Sequence, residues 1–341
     1  MLVRTASRRI GKPHVTDSAS PASESHAAVA TPAPARTAAA TGDASGVAMV
    51  LGCYLLWGLF PLYFRLLQDA GSVEIIGHRL VWTLATCLGL TALRRSWPAL
   101  RTAVATPRVL GTLAASGLLV SVNWLVYVYA VNSGRTADAA LGYFINPLVT
   151  VVLAAIFLGE RLRRAQGVAV GIAVVAITVL VVAQRSLPWI SLSLALSFGL
   201  YGLVKKRVGG RVDALTGLTV ESGCMTPVAL AYFAWLYAGG HGALQGATAS
   251  AGLAAGLVLA GPVTAAPLLL FAAGTRRVPL SIVGLSQYIT PIMQFLLAWA
   301  VFHEEISPAR WVSTALVWVA VVVFVTDLLW QLARRPRPGK H

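Results

Sequence analysis

One apolar stretch, broken by a proline, occurs twice in this chain, and the duplication limits the fold more than any other feature. Leu141 to Glu160 reads LGYFINPLVTVVLAAIFLGE, and Leu285 to Glu304 reads LSQYITPIMQFLLAWAVFHE. Each run is interrupted by a polar residue followed by proline, Asn146-Pro147 or Thr290-Pro291, and closed by a glutamate. Pro147 and Pro291 lie 144 residues apart, as do Glu160 and Glu304. At the same offset Trp57-Gly58 aligns with Tyr201-Gly202, and Asp69-Ala70 with Asp213-Ala214.

Both stretches have the length of a membrane span, about 20 apolar residues. Eight more runs of that kind bring the expectation to ten, near 46–67, 73–93, 109–131, 137–159, 165–183, 188–204, 214–237, 252–274, 280–303 and 309–331. Only 11% of the 341 residues are charged and 57% are hydrophobic, whereas a soluble domain carries roughly 25% charged residues. The composition therefore excludes a soluble domain and predicts an all-α integral membrane protein embedded in a lipid bilayer.

The net charge of +15 raises nucleic acid as a partner, and the placement of the charges argues against it. Lys and Arg cluster in short connections that alternate with connections nearly free of them. The segments 1–45, 94–108, 160–164, 205–211, 275–279 and the C-terminal tail hold 22 of the 27. Arg65, Arg135, Arg185 and Arg310 are the four on the opposite side, and Arg79 lies inside a run. This is the positive-inside pattern, and it predicts a multi-pass protein of the cell (inner) membrane with both termini cytoplasmic.

Five runs fall in each 144-residue unit. An odd number of spans makes the second unit enter from the opposite side, so the expected architecture is two inverted-topology repeats, 46–185 and 186–331. Inverted repeats with interrupted helices point to a secondary transporter. Residues 1–45 read as a disordered basic cytoplasmic tail, with no apolar core of signal-peptide length, and 332–341 as a second basic tail.

Particular residues resemble a known family. Asn123-Trp124, the run from Ala130 to Gly134, and the run from Leu141 to Leu148 are similar to the RarD type of the EamA family, in the drug/metabolite transporter superfamily. So are Tyr54, Trp57-Gly58, Pro61 and Phe64; Glu74 with His78-Arg79; Glu160-Arg161-Leu162 with Gly167 and Gly171; Pro267 to Phe271; and Gln287 to Pro291. Thr290-Pro291 departs from the more usual Gly-Pro. The resemblance covers roughly 46–331. It implies ten helices in two EamA repeats and export or exchange of small metabolites or drugs across the inner membrane.

Several residues are candidates for function. Pro147 and Pro291 each remove a backbone hydrogen bond near mid-span, and the freed carbonyls need partners in lipid. Asn146 and Thr290 are placed to help. Asn123, Gln287 and Gln294 are polar residues in apolar runs, and Tyr54, Trp57, Tyr143, Tyr201 and Tyr288 are candidates to line a substrate cavity. Glu74, His78, Arg79 and Glu221 are the candidate charged or coupling groups, because ionisable residues at membrane depth are costly and usually functional. Glu74 and His78 are spaced to share a helix face. Glu221 has no basic neighbour in its own run. Glu160 and Glu304 read as interfacial anchors or gate partners.

Cys53, Cys87 and Cys224 are isolated in apolar runs, with no metal-ligand spacing. No nucleotide-binding loop, zinc-protease motif or nucleophile elbow occurs, so no cofactor, metal or catalytic residue is expected. The competing reading is an integral membrane enzyme or lipid-handling protein using Glu74, His78 and Arg79 at one interface. The spread of polar residues over both halves favours a transporter of a small-molecule substrate.

Overall fold

The computed structural model describes residues 44–334, apart from Glu160 and residues 209–210. The expectations for Glu160 and for nearly all of both tails lie outside the described residues. Among those residues the chain is helical, with no strand. The helices are α1 (Ala44–Gly58), α2 (Phe60–Arg65), α3 (Ser72–Leu93), α4 (Trp97–Ala105), α5 (Pro107–Asn132), α6 (Thr136–Leu158) and α7 (Arg164–Gln184). They continue as α8 (Trp189–Lys206), α9 (Ala214–Ala238), α10 (Ala251–Gly274), α11 (Leu280–Ser286), α12 (Ile289–Leu296) and α13 (Pro308–Arg334). A π turn, Leu297–Val301, follows α12.

Local chemistry sets several ends. Proline stands in the first turn of α2, α4 and α5, where its missing amide is least costly. Asp213 caps α9 by accepting from the amides of Leu215 and Thr216, and Ser250 caps α10 through the Leu253 amide, meeting donors that a helix start leaves free. Gly159, at φ +67, ends α6 in the left-handed region. His303, one repeat later, occupies the same region at φ 52 without the freedom of glycine.

Eight helical segments are long and apolar enough to cross a membrane among the described residues. The expected runs at 188–204 and 214–237 also form long helices, α8 and α9, but stand outside those eight. Serines and two terminal lysines dilute α8, and threonines, glycines and Glu221 dilute α9.

Three local features differ from expectation. The 94–108 connection contains α4, a helix that buries Ala103. The break expected at Pro147 is absent, for α6 continues through it; one lost hydrogen bond does not end a helix packed on α8, α12 and α13. Instead the first span breaks at Leu59, just before Pro61. The expected interruption at Pro291 is present, where Gln287 and Tyr288 form the turn between α11 and α12.

Helix packing joins the two halves closely. α6 lies on α8, α1 on α12, α3 on α9 and α7 on α13. α10 packs on both α1 and α3, and α5 on both α8 and α9. Glycine permits one of the tightest approaches: a Cβ on Gly142 would stand 2.7 Å from the Ser191 carbonyl oxygen.

Candidate functional site

Arg79 projects from α3 into a cluster of aromatic rings and is only 2% exposed. Its guanidinium carbon lies 3.8 Å from the Trp124 ring centre, 5.3 Å from Phe64 and 5.5 Å from Phe60. Nε donates to the Thr264 hydroxyl at 2.9 Å, so α10 of the second half completes a cluster otherwise built by α2, α3, α5 and α6. Nη1 is buried without a hydrogen-bond partner, and no carboxylate pairs with Arg79 among the described residues.

A charge at mid-membrane costs on the order of 3 kcal/mol on insertion scales. A desolvated cation over an aromatic face recovers about 2 kcal/mol, so three rings and one hydroxyl are of the order needed to keep Arg79 charged. They stabilise the cation without neutralising it.

Asn123 and Tyr143 belong to the same cluster. The Tyr143 hydroxyl donates to Asn123 Oδ1 at 3.0 Å, and Asn123 Nδ2 donates to the Leu194 carbonyl and the Ser197 hydroxyl, both at 3.0 Å. Tyr127 packs against Tyr143 and Phe64, and its buried hydroxyl has no partner. From Tyr143 a row of rings runs through Phe198 to Tyr201, at centre separations of 6.3 and 5.7 Å. The row ends where the Lys205 ammonium sits 5.3 Å from the Tyr201 ring.

Glu221 is the partner of that lysine. Its buried carboxylate is ion-paired with Lys205 and accepts from the Ser116 hydroxyl at 2.6 Å. The basic neighbour absent from α9 is thus supplied by α8.

Tyr54, Trp57, Thr290 and Gln294 meet where α1 and α12 cross. Pro61 has no amide to offer the Trp57 carbonyl four residues earlier, and Gln294 Nε2 donates to that carbonyl at 3.2 Å. The Thr290 hydroxyl donates to the Tyr54 carbonyl at 2.7 Å, so it serves the neighbouring helix and not its own. Tyr54, Trp57 and Phe271 form a ring triad beside this crossing, and Trp57 also packs on the cluster containing Phe60, Phe64 and Tyr127.

The remaining candidates are dispersed. Glu74 accepts from the Tyr237 hydroxyl at 2.8 Å and from the Ala243 amide at 3.1 Å. It anchors the connection after α9. His78 stacks on Phe233 at 4.5 Å, with Nε2 buried and unpartnered. Glu74 and His78 therefore meet α9 and its following connection, while Arg79 meets α5 and α10; the three do not converge. Tyr288 is buried in a different cluster with Phe144 and Phe295. Asn146 and Pro147 are half-buried on α6, Asn146 Oδ1 has no partner, and Gln287 and Pro291 sit at the α11–α12 break.

Sequence reasoning did not single out Trp124, Tyr127, Phe198 and Thr264 as candidates. Trp124 and Tyr127 are three apart on α5, one face of a helix, and that spacing was the available signal. Glu304 has a definite role: its two carboxylate oxygens accept from the Thr136 and Ala137 amides at 2.8 and 2.9 Å. A negative charge there meets the positive end of α6. Nearby, Asp138 binds both Arg135 at 2.8 Å and Arg310 at 3.1 Å.

Comparison with known proteins agrees with this architecture. The EamA-like transporter family matches residues 44–182 and again 187–326. Protein RarD of Streptomyces exfoliatus is 45% identical over 296 residues, covering 86% of this chain and 91% of that protein. Protein RarD of Escherichia coli is 39% identical over 289 residues, covering 85% and 96%. A Bacillus subtilis protein named as an uncharacterized transporter is 40% identical over 295 residues, covering 85% and 97%. One solved crystal structure shares the fold, with a TM-score of 0.55 at 18% identity, covering 83% of this chain and 98% of that one. The chain belongs to the EamA-like transporter family and is of its RarD type.

Proposed function

We propose that this protein is a secondary active transporter of the cytoplasmic membrane that exports or exchanges small metabolites or drugs by alternating access. In this reading ten helices form two inverted five-helix repeats, 46–185 and 186–331, with both termini cytoplasmic. The observation that carries it is the pattern of helix packing. Under the 144-residue shift, α3 on α9 and α7 on α13 map onto themselves. The α1–α12 contact exchanges with α8–α6, α1–α10 with α8–α5, and α3–α10 with α9–α5. The left-handed residues Gly159 and His303 follow the same shift. Such a pairing is what a two-fold relation between the halves requires; five spans in each half would put that axis in the membrane plane, and two like halves can rock about a site between them.

The substrate path in this reading runs between the Tyr54–Trp57–Thr290–Gln294 crossing and the Arg79 cluster with Asn123 and Tyr143, with Tyr201 toward the basic side. Asn146, Pro147, Gln287, Tyr288 and Pro291 flank it. Two ties sit at opposite ends. Lys205, Glu221 and Ser116 join α8, α9 and α5 on the side of the basic connections. Glu304 and the Arg135–Asp138–Arg310 cluster close the other. Alternating access opens one tie at a time. Protonation of Glu221 would release Lys205, which gives a coupled proton a place to act.

Uptake of chloramphenicol and of labelled amino acids and metabolites into everted vesicles tests this, with and without a proton gradient and beside Glu221→Gln. The expected result is gradient-dependent accumulation lost in the variant. Accumulation indifferent to both would remove the proton, and no accumulation of any compound would count against transport.

A further inference from the structure

Resting on the transporter reading, we propose that the solute is a small organic monoanion whose carboxylate binds Arg79 and whose apolar body lies among Trp124, Tyr127 and Tyr143. Arg79 is fully enclosed, yet one of its nitrogens, Nη1, has no partner. The Tyr127 hydroxyl, in the same aromatic cluster, is also buried and unspent. Buried donors in a folded protein are nearly always satisfied, so two idle donors beside one cation mark a place for an acceptor that arrives from outside.

Among the described residues no carboxylate fills that place. Glu74 is held by Tyr237 and Ala243, and Glu221 by Ser116 and Lys205. Glu304 is spent on the first amides of α6, and Asp138 on Arg135 and Arg310. The rings bind the face of the guanidinium, whereas a carboxylate binds its edge, so Trp124 and an anion do not compete.

The charge balance narrows the class. One cation matches one negative charge, and a phosphate monoester near −2 would leave charge uncompensated in the cluster. None of the described residues that meet Arg79 is a carboxylate that could receive an ammonium group, so an acid lacking an amine fits better than its amino-acid counterpart.

The test uses the full-length protein in lipid nanodiscs and equilibrium dialysis of labelled phenylacetate, with phenylacetamide, phenethylamine, phenylalanine and phenyl phosphate as competitors. Phenylacetate is expected to bind at least about tenfold more tightly than its amide, the worth of one hydrogen bond to a charged group. Arg79→Gln is expected to erase that difference, and Arg79→Lys to retain part of it. Equal binding of acid and amide by the wild-type protein overturns the proposal whether or not a variant folds. Preference for the amine, the amino acid or the phosphate overturns it too, as does discrimination that survives Arg79→Gln. Counterflow in proteoliposomes separates the two readings. Arg79-dependent binding without exchange of any panel member sinks transport and keeps the anion site. Exchange of phenethylamine with no binding of phenylacetate keeps transport and sinks the anion site.

Discussion

Replacing Lys205 with methionine should cost more stability than replacing Glu221 with glutamine, although the two side chains form a single ion pair. The reason is where each survivor is left. Without Lys205, the Glu221 carboxylate stays 2% exposed with Ser116 as its one remaining partner. Breaking a buried pair from one side typically costs about 3–5 kcal/mol. The Lys205 side chain is itself 32% exposed, so solvent already screens part of the pair, and about 2–3 kcal/mol is the discounted figure. Without the Glu221 charge, Lys205 keeps its Tyr201 ring and its flexible stem reaches water, and Ser116 still has a glutamine oxygen to donate to. That variant should lose about 1–2 kcal/mol. The double variant removes both charges and should fall close to Glu221→Gln alone, giving a coupling energy of about 2–3 kcal/mol. Reversible unfolding in mixed detergent micelles measures all four corners of the cycle. Additive single effects, with coupling below about 0.5 kcal/mol, would refute the reasoning and show that Glu221 finds another partner.

Other substitutions probe the remaining contacts. Gln294→Leu leaves the Trp57 carbonyl with neither Pro61 nor a side chain to satisfy it, and should cost about 1–3 kcal/mol in the same unfolding assay. A Cβ on Gly117 would stand 2.9 Å from the Glu221 carbonyl oxygen, so Gly117→Ala should push α5 from α9 and destabilise by about 1–3 kcal/mol. His303→Gly should stabilise by about 1 kcal/mol, because φ 52 burdens a residue with a Cβ; thermal unfolding checks it. Burial raises the Asp213 carboxyl, but the hydrogen bonds from Thr216 and Leu215 outweigh it and hold it below the usual carboxylate range. Its contribution is thus present above the ordinary carboxylate pKa and lost as pH falls through the lowered one. Asp213→Asn, which still caps, should flatten the acid limb of stability against pH.

The sequence was informative where one residue type has one physical consequence. Apolar runs gave the helices, and the 144-residue offset located the equivalent positions of the two halves. Pro291 marked a true break, whereas Pro147 did not, because a proline removes a hydrogen bond but the packing around α6 decides whether the helix ends. α4 was hidden in a basic connection too short and mixed to show an apolar face. Tyr143 and Asn123 were legible as polar groups in apolar runs. Trp124 and Thr264 were not, since a ring 45 residues from Arg79 and a hydroxyl 185 residues from it become neighbours only once α5 and α10 have packed. The Lys205–Glu221 pair was half legible, for Glu221 stood out as a carboxylate without a basic neighbour in its own run, while the identity of its partner depends on how α8 and α9 pack.

The contact between Glu304 and the first turn of α6 also bears on biosynthesis. The Thr136 amide waits for a carboxylate 168 residues further along the chain. At synthesis rates of about 5–20 residues per second that is roughly 8–34 s between the emergence of one partner and the other. Through this interval the leading end of α6 lacks its anion, and the nascent first half has surfaces made to fit helices not yet translated. Until then those amides depend on other acceptors, water among them. A gene split between α7 and α8 should therefore yield a stable product only when both pieces are made in the same cell, with the first piece degraded when expressed alone.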